Sequence, residues 1–131
     1  MREEKLHYSM SLRLCFEEKA FGPGLSMLLH RIDETGSLQK AAQSMDMAYS
    51  KAWKILKNAE ASWGIKLAAR EIGGRDGGGS VLTKEGRLLL EAYDSFVLEG
   101  QKELDRIFSS YFAPEWVEGL IAGQEGEEKK E

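Results

Sequence analysis

Met10, Leu12, Leu14 and Phe16 alternate with polar or small residues over 9–16, and a period of two predicts a half-buried strand. Phe21-Gly22-Pro23-Gly24 then breaks the chain, and Leu25, Leu28, Leu29 and Ile32 recur at i, i+3, i+4, i+7. That spacing predicts a first helix of about three turns, closed by Gly36 at its carboxyl end. Ser37 is placed to cap a short second helix whose apolar face is Leu38, Ala41, Ala42 and Met45. After Asp46-Met47-Ala48 a third helix runs to Trp63 and stops at Gly64. Residues 65–70 and 80–82 read as two short strands around a glycine-rich loop, and Thr83 caps a last helix that meets no proline before Pro114. At 1.5 Å per residue that helix is about 29 residues and about 44 Å long.

Two short helices joined by a tight turn and followed by a hairpin make a winged helix-turn-helix. The predicted fold is therefore mainly α with a small β component, with a leading strand and a long C-terminal dimerisation helix. Residues 1–112 form the DNA-binding domain, including a dimerisation helix at 83–112. Residues 113–131 are an acidic, partly disordered tail, with Trp116, Val117, Leu120 and Ile121 as its apolar positions.

The third helix sorts its residues by chemistry. At 100° per residue, Ser50, Lys51, Lys54, Lys57 and Asn58 fall on one side, while Ala52, Ile55, Leu56, Ala59 and Trp63 fall on the other. A lysine stripe with hydrogen-bonding Ser and Asn suits entry into a polyanionic groove: lysine supplies charge to phosphate or reaches guanine, and asparagine pairs with adenine. Taken alone, the same stripe also fits a solvated amphipathic helix; the short helix before it and the wing after it favour DNA. Tyr49 opens this helix, where recognition helices meet base edges and phosphates, and Trp53 is assigned to the core. Ser37, Gln39 and Lys40 of the second helix, with Arg70 and Arg75 of the wing, complete the predicted DNA-contacting set.

Charge sharpens this picture. The formal net charge is −4, unusual for a partner of nucleic acid, but it is unevenly spread. Residues 113–131 hold six Glu against two Lys, and residues 36–90 hold nine Lys or Arg against five Asp or Glu. The segment expected to enter the groove is thus basic between acidic flanks.

Leu89, Tyr93, Phe96, Gly100, Leu104, Ile107 and Tyr111 form one stripe along the last helix. Its first half covers the core; the remainder exceeds what so small a domain buries by itself, which predicts self-association into a homodimer with recognition helices about 34 Å apart. A helix folded back on its own domain is the alternative. The glycine loop lacks the Gly-Lys-Ser/Thr ending of a phosphate-binding loop. Cys15 is the sole cysteine and His7 and His30 are isolated, so no disulfide, metal site, cofactor or catalytic residue is assigned and no enzyme is expected. No apolar run reaches the roughly 18 residues of a membrane span, and the charged start Met1-Arg2-Glu3-Glu4-Lys5 does not lead a signal peptide, so a cytoplasmic location without membrane association is expected.

Gly36-Ser37-Leu38-Gln39-Lys40-Ala41-Ala42, Met47-Ala48-Tyr49-Ser50-Lys51-Ala52-Trp53, Gly73-Gly74-Arg75-Asp76-Gly77-Gly78-Gly79 and Leu82-Thr83-Lys84-Glu85-Gly86 resemble the amino-terminal domain of ModE-type molybdate-responsive regulators. The Ala-Ala and Leu-Thr-x-x-Gly pieces are shared with LysR-type regulators. The resemblance covers about residues 9–112 and implies a dimeric winged helix-turn-helix that binds double-stranded DNA at a palindromic operator, with a link to molybdate or other oxyanion transport genes. Ala48 stands where that family has Ser, and Asp76 puts an anion in the wing. The family's molybdate-binding carboxy-terminal domains have no counterpart after Phe112, so direct molybdate binding is not expected of this chain. The competing reading is a protein-interaction module on a winged-helix scaffold without DNA binding; an anion-binding enzyme built on the glycine loop is the weakest.

Overall fold

The structure, a computed structural model, describes residues 4–71 and 79–130, the side chains of residues 125–130 excepted. The chain divides into two compact units, Ser11–Val97 and, separately, Met1–Met10 with Leu98–Glu131.

The first unit runs β1 (Leu14–Cys15), β2 (Lys19–Phe21), α1 (Pro23–Thr35), α2 (Leu38–Ser44), α3 (Tyr49–Trp63), β3 (Ala68–Glu71), β4 (Gly79–Leu82) and the first part of α4 (Lys84–Tyr111). The helical spacing of α1 delivers its stripe to the core: Leu25, Leu28, Leu29 and Ile32 are all buried. Pro23 in the first turn has a ring-fixed φ suited to helix entry. Gly36 ends the helix at φ +71°, where its N–H bonds the Ile32 carbonyl. Leu38, Ala41 and Ala42 of α2 and Ala52, Leu56 and Ala59 of α3 close over α1. Strands β3 and β4 pair antiparallel from Ala68↔Leu82 to Glu71↔Gly79, and the Ser80 N–H bonds the Gly36 carbonyl, fixing the hairpin beside the end of α1.

Helix α4 begins at a side-chain cap. Thr83 Oγ1 accepts from the Gly86 N–H at 2.9 Å and donates to the Lys66 carbonyl at 2.6 Å. Leu90 and Tyr93 bury the early face of this helix, and the Tyr93 hydroxyl donates to the Leu12 carbonyl. Burial pushes that phenol's pKa up. Arg87 binds the Asp33 carboxylate at 2.7 Å, joining α4 to α1; that hydrogen bond holds the Asp33 carboxyl below the usual carboxylate range.

The leading strand differs from expectation. Only Leu14 and Cys15 are in β1, which pairs with β2, an unpredicted partner, and the register shifts between them. Met10, Leu12 and Leu14 keep the half-buried alternation, but Phe16 is 60% exposed. Its N–H bonds the Glu18 carbonyl, so the chain reverses there and the period of two ends. The Phe16 ring meets Trp63 edge-on at 5.0 Å.

In the other unit Tyr8 hydrogen-bonds the Asp105 carboxylate, which pushes its pKa up to about 12. The Tyr8, Phe108, Phe112 and Trp116 rings follow one another at centroid distances of 5.3, 5.4 and 6.1 Å. Helix α5 covers Pro114–Lys130, where the composition predicts partial disorder. Pro114 opens it, and no second proline follows to interrupt it.

Candidate nucleic-acid interface

The α2–turn–α3 unit is built from local rules. Ser37 Oγ accepts from the Lys40 N–H at 3.2 Å, capping α2. The turn passes through Asp46 at φ +52°, a left-handed conformation that a short polar side chain tolerates. Met45 and Met47 both return their N–H groups to the Ala42 carbonyl, so the turn is held tight against the end of α2. Helix α3 then starts at Ala48, whose carbonyl accepts from Lys51 and Ala52 but whose side chain has no oxygen to cap the free N–H groups. Ala48→Ser therefore should raise the unfolding free energy by about 1 kcal/mol, read as a higher urea midpoint at unchanged slope; a midpoint equal to wild type would show that the α3 N-terminus gains nothing from a cap.

Packing decides which face of α3 is free. Ala52, Leu56 and Ala59 are buried, which turns Ser50, Lys51, Lys54 and Asn58 outward, where all four are exposed. Gln39 and Lys40 are exposed on α2, and Tyr49 is 53% exposed at the start of α3. Arg70 is exposed on β3. Arg75 and the other loop residues through Gly78 lie outside the described residues. Ser37 is half-buried with its hydroxyl engaged in the cap, so its role in the fold is structural.

Lys57 departs from the free-lysine pattern. It is half-buried and its Nζ lies 3.2 Å from Glu60 Oε1. Glu60 is 7% exposed, and its other oxygen accepts from the backbone N–H groups of Leu67 at 2.8 Å and Ala68 at 3.3 Å. A buried carboxylate with three donors around it is satisfied rather than stranded. It joins α3 to the entry of β3 and so sets the hairpin's position relative to α3. Sequence reasoning passed over Glu60. The signal was its place four residues after Leu56 and three before Trp63, in line with the packing positions rather than the solvated ones.

Trp53 also departs from expectation. It is 46% exposed rather than core, and Lys57 Nζ lies 5.8 Å from its ring centroid. The small residues Ala52 and Ala59, with Leu56, fill the interface beneath α3, leaving the indole on the outer side beside the lysines.

The described residues thus present an exposed helix face carrying Ser, Lys and Asn, a preceding capped helix with Gln39 and Lys40, and a hairpin beyond. Residues 26–87 match the family model described as bacterial regulatory helix-turn-helix protein, lysR family. The molybdenum transport protein ModE of Azotobacter vinelandii is 35% identical over 80 residues, 61% of this chain and 30% of that protein. The DNA-binding transcriptional dual regulator ModE of Escherichia coli K12 is 33% identical over 95 residues, 72% of this chain and 36% of that protein. The transcriptional regulator ModE of Yersinia pestis is 31% identical over 97 residues, 73% of this chain and 37% of that protein. The chain spans about a third of the length of the curated relatives it matches. No described helix is long and apolar enough to cross a membrane. The helices, the tight turn and the hairpin agree with these likenesses: residues 26–87 are similar to the bacterial regulatory helix-turn-helix of the lysR family, and the chain is similar to part of the ModE regulators.

Proposed function

We propose that this chain is a sequence-specific, DNA-binding transcriptional regulator that acts as a homodimer and catalyses no reaction. The observation that carries the reading is the outward face of α3, where Ser50, Lys51, Lys54 and Asn58 are exposed while the reverse side is buried. A helix of this kind after a helix-turn places its first turns in the major groove. Lys51 and Lys54 meet phosphates or guanine, and Asn58 has the donor and acceptor that adenine requires. Gln39 and Lys40 approach the backbone from α2, and Arg70 and Arg75 extend the contact through the wing.

Symmetry follows from the far half of α4. Phe96, Leu104, Ile107 and Tyr111 are exposed at 51, 38, 40 and 69%, a run of apolar surface on one side of the helix that a second copy covers. The name of the Azotobacter relative, a molybdenum transport protein, supports promoters of molybdate or other oxyanion transport genes as the first operators to test. A cytoplasmic site of action agrees with this role.

Fluorescence anisotropy with labelled duplex DNA over a salt series tests the proposal. Affinity should fall with salt by about 0.9 logarithmic units per phosphate neutralised, and Lys51→Ala with Lys54→Ala should weaken binding at least about tenfold at 0.1 M salt and lower the slope by about 2. Sedimentation should show the same dimer for both proteins. Wild-type protein without salt-dependent DNA affinity would leave the competing reading, a winged-helix module for protein partners.

A further inference from the structure

We propose that Trp53 is a specificity-determining residue of this interface that reads the 5-methyl group of thymine in the major groove. The inference rests on the DNA-binding reading above. Trp53 is a large apolar ring left half in water at the edge of the lysine-bearing side of a helix that buries Ala52, Leu56 and Ala59 on its reverse side. Lys57 beside the ring and the exposed Lys54 next in sequence give its surroundings the charge of a surface made for a polyanion. Among the groups that base pairs display in the major groove, the thymine methyl is the apolar one, so it is the complement of an indole brought there by lysines. Trp53 is also held in place before binding. Lys57 lies against its ring and is tied to Glu60, which in turn is fixed by the Leu67 and Ala68 amides. A side chain whose position is already set loses less freedom on contact, which favours selectivity over mere adhesion.

The test begins with selection of binding sites from a random duplex pool by the full chain. Each dT of the selected site is then replaced by dU, which deletes only the methyl. One position should weaken wild-type binding about fourfold, the factor that burial of about one methyl group gives. Trp53→Ala, and Trp53→Gln as a second variant, should bind dT and dU equally there while keeping the wild-type salt slope. Because a variant that misfolds would be uninformative, 5-iodouracil placed at that position in the wild-type complex should crosslink to Trp53 on irradiation. Selected sites in which no dU weakens binding, a crosslink to another residue, or a folded Trp53 variant still sensitive to dU would each overturn the inference and leave DNA binding intact. A pool that yields no bound duplex would overturn the DNA-binding reading and this one with it.

Discussion

Gly86→Ala should lower the unfolding free energy by about 3 kcal/mol, at the upper end of what overpacking costs in a well-packed site. A Cβ at Gly86 would lie 2.1 Å from the Leu67 carbonyl oxygen and 2.9 Å from its carbon. The obstacle is backbone and cannot rotate away like the tip of a flexible side chain. It is also held: the Leu67 oxygen accepts from the Thr83 N–H at 3.0 Å, and Leu67 itself is fully buried. Alanine gains about 1 kcal/mol of helix propensity over glycine, which is smaller than the strain and does not reverse its sign. Relief requires α4 to move from β3, loosening the Thr83 cap and the Leu90 and Tyr93 packing together. Urea unfolding followed by circular dichroism measures the effect. A variant as stable as wild type would mean that α4 does not approach Leu67 this closely in solution.

The second large effect belongs to Glu60. Glu60→Ala removes the acceptor for two backbone N–H groups at the buried start of β3 and leaves Lys57 without its carboxylate. Each hydrogen bond to a charged group is worth about 1.5–3 kcal/mol, and a stranded buried donor costs about 1–3 kcal/mol. Water admitted by the smaller side chain offsets part of this, so the expected loss is about 3 kcal/mol. Glu60→Gln keeps an acceptor oxygen for the amides and loses mainly the Lys57 pairing, at 37% lysine exposure a weaker interaction; its expected loss is about 1 kcal/mol. The ordering Ala well below Gln below wild type, measured by denaturation midpoint, is the diagnostic. Equal losses would assign the role of Glu60 to its charge rather than to the β3 amides.

These two residues show where local reading ends. Ser37 as cap, Gly36 and Gly64 as left-handed helix ends, Thr83 as cap and the buried stripe of α1 were all legible in the sequence. Each depends on side chains within a few residues, so spacing and residue type suffice to place them. The outward side of α3 was legible for the same reason, since a helix with a small apolar face has to turn its lysines away.

Other features depended on what lies across the fold. The two-residue β1, its pairing with β2 and the exposure of Phe16 follow from a chain reversal that alternation does not report. The exposure of Trp53 was decided by the small residues and Leu56 filling the space beneath α3, not by aromatic type.

By itself, then, the sequence determined the order of helices and hairpin, the caps between them, and the lysine-bearing face, because backbone hydrogen bonding and helical periodicity are local. Only the tertiary structure decided that Lys57 is held by Glu60, that Trp53 stays half exposed beside Lys57, and that Gly86 admits no side chain. Each of these is set by an atom distant in sequence or by a void already filled, and close packing between elements leaves no trace in the spacing of residues along one of them.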